Sequence, residues 1–441
     1  MKKIVVVGAG ISGLLSGLAL AKEGNEVTIF EATSEVGGMC RSYEISGFRV
    51  DTGPHIITRL ENGPLKKMMD KYFDIVPEFV PHGEYYIRAN KKVYKFPWTP
   101  QAFAFFEPIS KKDRLIMLQT IISLYSKRIF NPDYGAVSVG NIVTNSDYEK
   151  KTLRFIDTIC KFLTGNGMDK TPVARFLDSQ EYKNKGGKTS QDPIDYLNDM
   201  KNFLTKKGAK DQCYPVGGII SIVKAALSSM PENVDIRCNS KVEKIVVEDG
   251  WVKGVVVKGE FISADSVVYS AYSSHLPKIV DHLPREYGKD LEKLEKVISL
   301  TLWLGLCKKF FEKSGSEIWV DSDPLCWVVP ITNYDSSLAP PEHQLVGFAT
   351  ILPDDFDIDN EKSRLLKAVV NELPGIKKYI KMKHFQVLIP EKAAWIVNQK
   401  MPTSKTPIKG LYLVGTDTMR KSMGITRASY SVLNLLEAMR E

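Results

Sequence analysis

The sequence predicts an α/β fold in which a parallel sheet is assembled from separated parts of the chain and is interleaved with a second, α+β domain. Three observations predict it. The segment Ile4–Glu31 reads as strand, glycine-rich turn, helix and second strand. Short regular strands return after Tyr214, and the chain closes with an apolar strand at Gly410–Asp417 followed by a helix. Strands that alternate with helices in this way are typical of α/β proteins.

The first of these segments fits a dinucleotide-binding βαβ unit. An apolar run predicts a strand, and a GAGISG turn starts directly after it. Gly8 permits the sharp turn, Gly10 lets a pyrophosphate approach bare backbone at the positive end of the helix, and Gly13 lets the helix pack on the strand. Glu31 ends the second strand, where an acid accepts hydrogen bonds from a ribose diol. The unit is therefore Rossmann-like.

Length and composition indicate an ordinary globular protein of about two domains. The chain has 441 residues, of which 43% are hydrophobic and 25% charged, so a large core is feasible. Its six cysteines form no CxxC pair, which favours reduced thiols and indicates neither a disulfide framework nor a metal site. No apolar run reaches the roughly 20 residues of a membrane span. We expect a cytoplasmic protein that is soluble or peripherally bound to the inner face of the membrane.

The segment 91–130 carries much of the net charge of +8. It contains eight basic and two acidic residues, with aromatic residues interleaved. Five apolar residues at helical spacing predict one stripe with basic residues at both ends: Leu115, Leu118, Ile122, Tyr125 and Ile129. Either the helix packs on its own domain, which we favour, or it forms a membrane-surface patch around the entrance for an apolar substrate. We expect no nucleic acid partner, because no recognised binding motif is present.

The interleaving predicts five segments along the chain. Residues 1–60, 213–275 and 393–441 form the nucleotide-binding domain. Residues 61–212 and 276–392 form the second, substrate-binding domain. The first substrate segment is rich in aromatic residues and lysines and is expected to act as a cap.

Individual elements are also predicted within these segments. A run of glycines and lysines at Tyr182–Gln191 indicates an exposed loop. Helices are expected at Ile222–Ser229 and Ala428–Met439. The predicted strands outside the first unit are Val234–Arg237, Val242–Val247, Val252–Val257, Val267–Tyr269, Leu300–Cys307 and Leu345–Thr350.

Further glycine blocks extend the nucleotide-binding pattern. The run Gly37-Gly38-Met39-Cys40-Arg41 contains GG-x-x-[RK], and the turn Gly53-Pro54-His55 follows it. The regular middle region opens with Pro-x-Gly-Gly, and the last strand ends in Gly415-Thr416-Asp417. Together these blocks resemble the FAD-dependent amine oxidase, phytoene desaturase and protoporphyrinogen oxidase superfamily, the two-dinucleotide-binding-domain flavoproteins. The resemblance covers both ends and the middle of the chain.

The resemblance implies an FAD that lies extended across the first domain. It is expected to be non-covalent, because no cysteine follows Asp417. One set of residues is implied at the pyrophosphate and ribityl chain: Gly8, Gly10, Ser12, Gly13, Gly37, Gly38 and Arg41. A guanidinium pairs well with a diphosphate, which suits Arg41. Glu31 would bind the adenosine ribose, and the backbone of Val242 would contact adenine.

On the flavin side, the resemblance implies that Gly53 and Pro54 pass near the isoalloxazine. The implied C-terminal flavin block consists of Gly415, Asp417, Gly424, Ile425 and Thr426. Its last three residues would open the final helix beneath the ring, where a helix N-terminus stabilises negative charge on the reduced flavin. His55 is the one candidate for a catalytic residue. The pocket candidates are Arg59, Trp327, Trp395 and Arg427.

The function implied is that of an FAD-dependent oxidoreductase of desaturase or oxidase type. A substrate C–H would give a hydride to flavin N5. An apolar, isoprenoid- or polyene-like substrate ranks first and an amine second. No second GxGxxG follows a strand, so electrons are expected to leave to oxygen, a quinone or a protein acceptor. Two alternatives stay open: a flavin-dependent isomerase or mutase without net redox chemistry, and an escort-type protein of the same fold that binds lipidated partners.

Overall fold

The computed structural model describes residues 1–144, 146–177 and 211–441. In chain order its strands are β1 (Lys3–Val7), β2 (Glu26–Phe30), β3 (Ser42–Ile45), β4 (Phe48–Asp51), β5 (Ile57–Thr58), β6 (Phe79–Pro81), β7 (Glu84–Ala89), β8 (Lys92–Lys95), β9 (Gln212–Pro215), β10 (Val234–Arg237), β11 (Val242–Glu248), β12 (Trp251–Val257), β13 (Glu260–Ser263), β14 (Ser266–Tyr269), β15 (Val297–Leu306), β16 (Gly315–Trp319), β17 (Cys326–Val329), β18 (Gln344–Ile351), β19 (Ile380–Glu391) and β20 (Leu411–Leu413). Its α-helices are α1 (Ile11–Lys22), α2 (Pro64–Tyr72), α3 (Pro100–Ala104), α4 (Lys111–Phe130), α5 (Val139–Val143), α6 (Lys150–Thr164), α7 (Ala174–Leu177), α8 (Ile220–Ser228), α9 (Arg285–Glu292), α10 (Ile358–Glu372) and α11 (Gly424–Ala438). The predicted loop Tyr182–Gln191 lies outside the described residues.

A parallel sheet forms around the N-terminal strand. Within the described residues it has five strands in the order β10-β2-β1-β14-β20, and every neighbouring pair is parallel. Numbered along the chain, these strands follow the order 3-2-1-4-5 of a doubly wound nucleotide-binding sheet. They come from the start, the middle and the end of the chain, so the α/β prediction and the interleaving are confirmed. The boundaries of the five segments stay a prediction.

Helix α1 packs closely on this sheet because its inner face is small or apolar. Leu14, Leu15 and Leu18 are fully buried. A Cβ built at Gly17 would lie 2.5 Å from Cδ1 of Ile29 on β2, so a larger residue would push the helix away. The tight packing holds the glycine turn before the helix at the carboxyl end of β1.

The second domain is built on a large, mostly antiparallel sheet. In the part of the chain that the structure describes, it has seven strands in the order β19-β15-β18-β17-β16-β7-β8. Strands β16 and β7 pair in parallel, and the other neighbours are antiparallel. Thr301 and Trp327 both pair with Ala349, so these three residues lie in one row across β15, β18 and β17. Residues in such a row share a face of the sheet.

Helix α4 covers only one edge of the predicted apolar stripe. Tyr125 is buried and Leu118 is partly covered on the side that packs inward. Leu115 and Ile122, three and four residues from Leu118, share its side of the helix but are 55% and 53% exposed. The helix is turned so that the other edge of the stripe is left uncovered. The side chain of Ile129 lies outside the described part of the structure.

Candidate functional site

A large cavity opens between the carboxyl end of the parallel sheet and one face of the large sheet. Its volume is about 2140 Å³, well above the roughly 300–1,000 Å³ of a typical small-molecule pocket. Most of the predicted cofactor residues line it: Gly8, Gly10, Ser12, Glu31, Gly38, Arg41, Gly53, Pro54, Val242, Gly424, Ile425 and Thr426. The predicted residues outside this lining are Gly13, Gly37, Gly415 and Asp417. The cavity has room for an extended dinucleotide and a second ligand.

The glycine turn between β1 and α1 leaves its backbone open to the cavity. Gly8 has a φ of +98°, which favours glycine, and its N–H donates to the carbonyl of Phe30 at 2.7 Å. A Cβ built at Gly10 meets no atom within 4 Å, whereas one built at Gly13 would overlap the carbonyl oxygen of Gly8. Helix α1 has neither a side-chain cap nor an acid in its first turn. Its N-terminal amides are therefore available to a diphosphate, and the turn fits FAD.

Glu31 is fixed at the end of β2 and lines the cavity. Its Oε2 accepts from the N–H of Ala9 at 2.8 Å. Its Oε1 accepts from the N–H and the hydroxyl of Thr33 at 2.9 and 2.8 Å. A carboxylate oxygen has two lone pairs, so acceptor capacity remains for a ribose hydroxyl. Val242, at the start of β11, also lines the cavity, and its contact with adenine stays a prediction.

The second glycine block is folded against the first. Gly37 and Gly38 have φ values of +104° and +57°, and the N–H of Gly37 donates to the carbonyl of Ala9 at 2.7 Å. Nε of Arg41 donates to the carbonyl of Gly38 at 3.1 Å. Nη1 of the same side chain forms an ion pair with Glu35 at 3.0 Å. The guanidinium therefore lines the cavity but shares its charge with an acid.

The turn at Gly53 is held by both domains. Gly53 has a φ of +79°, and its N–H donates to Oε1 of Gln386 on β19 at 2.9 Å. The carboxylate of Asp51, just before the turn, is completely buried. It accepts from Oγ of Ser42 at 2.6 Å and from the phenol of Tyr214 at 2.7 Å. These bonds fix the turn on the cavity wall.

His55 lines the cavity directly after this turn. Its Nε2 donates to the carbonyl of Thr52 at 2.8 Å. Burial lowers the pKa of the imidazole, although the charge of Asp51 acts in the opposite direction. We therefore expect a neutral ring whose N–H is already engaged by the backbone. A catalytic role for His55 stays a prediction.

The C-terminal block contributes a buried acid and a helix start. Oδ2 of Asp417 accepts from the N–H of Ser273 at 2.7 Å, whereas Oδ1 has no hydrogen-bond partner among the described residues. A Cβ built at Gly415 would lie 2.6 Å from that Oδ1. A buried acceptor without a partner is unusual, but Asp417 does not line the cavity, so its role as a ribityl ligand stays a prediction. Helix α11 begins at Gly424, with a φ of +51°, and the hydroxyl of Thr426 hydrogen-bonds to β5 at 3.0 Å.

Two charged cavity residues at the end of β19 lie outside the sequence motifs. Glu391 is almost fully buried, accepts from the N–H of Gly424 and forms an ion pair with Arg427 at 3.1 Å. Burial raises the pKa of Glu391, and the charge of Arg427 opposes this effect. Lys392 follows, and its Nζ donates to backbone carbonyls beside the glycine turn. One feature of the sequence indicates both residues: two adjacent charges directly follow the apolar run Val387–Pro390.

The remainder of the cavity is mainly aromatic and aliphatic. The large sheet, the segment after β8 and the helices α4 and α6 contribute Tyr85, Phe96, Trp98, Tyr125, Ile159, Phe162, Ile318 and Trp327. Glu361 and Asp323 also line it, and Arg364 holds their carboxylates at 2.6 and 2.5 Å. Of the predicted pocket candidates, the lining includes Arg59 and Trp327 and excludes Trp395 and Arg427.

Comparison with known proteins agrees with this arrangement. 4,4'-diapolycopen-4-al dehydrogenase of Metabacillus indicus is 23% identical, over 86% of this chain and 82% of that protein. 1-hydroxycarotenoid 3,4-desaturase of Flavobacterium sp. (strain P99-3) is 35% identical, over 70% of this chain and 64% of that protein. The crystal structure of an oxidoreductase from Methanosarcina mazei has the same fold, with a TM-score of 0.80, 21% identity and 100% coverage of both chains.

A family model described as "Flavin containing amine oxidoreductase" matches residues 11–428. The match therefore runs from the first residue of α1 to the first turn of α11 and includes both sheets except for β1. FAD, bound non-covalently, is the cofactor. The chain belongs to the flavin-containing amine oxidoreductase family and is an FAD-dependent oxidoreductase.

Proposed function

We propose that this oxidoreductase removes a hydride from an apolar, polyene-like substrate bound in the aromatic part of the cavity. The observation that carries the proposal is the apolar wall around Phe162 and Trp327, which continues from the cofactor half of the same cavity. FAD, when bound, supplies the hydride acceptor at N5. The side chains of the wall then have to orient the substrate and exclude water, which aromatic and aliphatic groups do well.

Three acids of the cavity are already engaged, which favours an apolar substrate over an amine. An ammonium group buried there would need a carboxylate that is not already paired. Glu361 and Asp323 are both paired with Arg364, and Glu391 is paired with Arg427. The names of the two relatives from Metabacillus and Flavobacterium also refer to polyenes. An amine therefore ranks second.

The test is anaerobic reduction of the FAD-loaded protein by candidate substrates. Long polyenes in detergent micelles should bleach the visible absorbance of the flavin, and polyamines should not. Phe162→Lys puts a charge into the apolar wall and should slow this bleaching at least about tenfold, with FAD content unchanged. Phe261→Lys is the matched control, because Phe261 is 56% exposed on β13. Faster bleaching by amines than by polyenes would overturn the proposal.

We further propose that electrons leave the flavin to oxygen, a quinone or a protein acceptor. The sequence offers no second glycine fingerprint behind a strand, and this supports a site without a nicotinamide cofactor. Anaerobic NADPH should then leave the flavin absorbance unchanged. Fast, saturable bleaching by NADPH would indicate a reductase or a flavin-activated isomerase or mutase instead.

We also propose that the surface around α4 rests on the inner face of the membrane, so that an apolar substrate can enter without crossing water. Phe105, Leu115 and Ile122 are exposed there, by 83%, 55% and 53%, and α4 begins with two lysines. Tyr125 of the same helix lines the cavity. In residues 1–144, 146–177 and 211–441, no helix combines the length and the apolar character of a membrane span, so the proposed contact is peripheral.

Binding to anionic vesicles tests this surface. Each lysine near an anionic membrane contributes about 1 kcal/mol, so a triple change of Lys111, Lys112 and Lys127 to Glu should weaken binding by well over about tenfold. FAD content should stay constant, and added salt should weaken the parent's binding. The control reverses two exposed lysines elsewhere, Lys377 and Lys378. Equal vesicle binding by the triple variant and the parent would make α4 an ordinary packed helix.

A further inference from the structure

Lys392 is a cation in the cofactor half of the cavity that belongs to none of the glycine blocks. It lines the cavity directly after β19. Its Nζ donates to the carbonyl oxygens of Ser270 and Ala271, the latter at 2.9 Å, and lies 5.6 Å from the ring centroid of Tyr272. Its backbone N–H donates to Oγ1 of Thr416 at 3.0 Å. The side chain is thus held between the segment after β14 and the segment after β20.

These contacts place the ammonium group beside the glycine turn. A Cβ built at Gly8 would lie 3.8 Å from the same Ser270 carbonyl oxygen that accepts from Lys392. A Cβ built at Gly415 would lie 3.3 Å from Nζ itself. Helix α1 begins at Ile11, so its positive N-terminus and the lysine charge act on the same region of the cavity.

The charge of Lys392 has no acidic partner at contact distance in the part of the chain that the structure describes. Glu31 and Asp417 act on it from farther away and favour the charged form, whereas burial lowers the pKa of the ammonium. Arg41, by contrast, is already paired with Glu35. A neutral carbonyl is a weaker partner for an ammonium than an anion is, so Lys392 is suited to bind an incoming anion.

We propose that Lys392 binds the diphosphate of FAD and supplies, together with the N-terminus of α1, the positive charge that this group requires. A helix N-terminus is equivalent to only about half a unit charge, so it cannot balance a diphosphate by itself. The lysine lies on the side of the glycine turn that faces Ser270 and Gly415. The proposal concerns the cofactor, so it is independent of whether the substrate is a polyene or an amine.

The test compares ligands with and without a diphosphate on the full chain after removal of FAD. Calorimetry gives the Kd of ADP and of adenosine for the parent and for Lys392→Met. Loss of one charge-assisted hydrogen bond should weaken ADP binding by roughly 10- to 150-fold and adenosine binding by less than about threefold. Lys392→Arg keeps the charge and should retain most of the ADP affinity. Lys278→Met is the matched control, since Lys278 is an exposed lysine that lines the same cavity and should affect neither ligand.

Equal losses for ADP and adenosine in Lys392→Met would mean a structural role, and an unchanged ADP affinity would place the diphosphate elsewhere. Either result overturns the proposal. Near-UV circular dichroism checks the fold of each variant. If Lys392→Met does not fold, Lys392→Gln replaces it, because glutamine keeps a donor for the Ser270 carbonyl without the charge. Failure of the parent chain to bind FAD would contradict the family assignment. Failure of the Lys392 proposal alone would leave the parent's FAD binding intact, so the two results can be told apart.

Discussion

Replacing Gly13 or Gly10 by alanine should have different effects on stability and FAD binding, although both glycines belong to one turn. A Cβ at Gly13 would overlap the carbonyl oxygen of Gly8 and lie 3.1 Å from its carbon and 3.2 Å from Oγ of Ser270. Two of these three atoms are backbone, so the new methyl group can be accommodated only if the turn or the helix moves. A Cβ at Gly10 meets nothing within 4 Å, and the residue has a φ of −68° and a ψ of 172°, which alanine adopts freely.

The expected magnitudes follow from these contacts. Overpacking typically costs about 1–3 kcal/mol, and a clash with backbone places Gly13→Ala at about 3 kcal/mol or more. This is a large part of the roughly 5–15 kcal/mol that stabilises a native fold. Gly10→Ala should raise the free energy of unfolding by about 0.4–1 kcal/mol, because alanine reduces the conformational entropy of the unfolded chain. It should lower the same quantity by a similar amount, because alanine is a poorer helix N-cap than glycine. The net change in stability should therefore stay within about 1 kcal/mol. The alanine methyl group would nevertheless occupy the open space that a diphosphate needs.

Urea unfolding of the cofactor-free chain, followed by tryptophan fluorescence, measures the first effect. Flavin fluorescence in a titration with FAD measures the second. We expect Gly13→Ala to lose stability and FAD together, and Gly10→Ala to lose FAD binding with its cofactor-free stability preserved. The reasoning is refuted if Gly13→Ala unfolds at the parent's urea concentration, or if Gly10→Ala binds FAD with the parent's affinity.

Two further predictions concern buried ionisable groups. Glu391→Gln removes a negative charge beside Gly424, so the flavin should become easier to reduce. A change of about 1 kcal/mol corresponds to a rise of roughly 20 mV in the reduction potential of a two-electron couple. Dye-linked potentiometry that shows no rise in this potential would contradict the prediction. Burial lowers the pKa of His82 to about 4, below the 6.5 of an unfolded chain. The unfolded state therefore binds the proton first, and stability should fall by up to about 3 kcal/mol between pH 6.5 and 4. His82→Phe should flatten that part of the pH–stability curve, and an unchanged slope would exclude His82 as its cause.

The nucleotide-binding unit could be predicted because its determinants are close together in the sequence. The spacing of Gly8, Gly10 and Gly13 specifies the turn, and the distance to Glu31 is that of one helix and one strand. The structure places these residues where the spacing indicates, apart from Gly13, which packs behind the lining. The block at Gly37 and Gly38 could be predicted for the same reason, because its contact with the first turn joins residues less than 35 positions apart.

The remaining part of the site depends on contacts that are distant in the sequence. Lys392 reaches a carbonyl 122 residues away at Ser270, and no local pattern indicates such a pair. The parallel pairing of β7 with β16 joins residues more than 200 positions apart, so the apolar wall could not be assembled from one stretch of the sequence. The rotation of α4 is likewise decided by its tertiary neighbours, because Leu115 and Tyr125 are equally apolar in the sequence pattern.

Gln386 joins the large sheet to the turn at Gly53, a contact between two distant parts of the chain. Its Oε1 accepts from the N–H of Gly53 at 2.9 Å and from Nε1 of Trp303 at 3.1 Å. Its Nε2 donates to the carbonyl of Asp51 at 2.9 Å and to the phenol of Tyr43 at 2.7 Å. Gln386 belongs to the large sheet, as does Trp303, so three of these hydrogen bonds, to Gly53, Asp51 and Tyr43, hold the turn against the sheet. Hydride transfer requires reacting atoms to be held within roughly 3–3.5 Å, and a rigid link between the large sheet and the turn predicted to pass near the flavin would contribute to this pre-organisation.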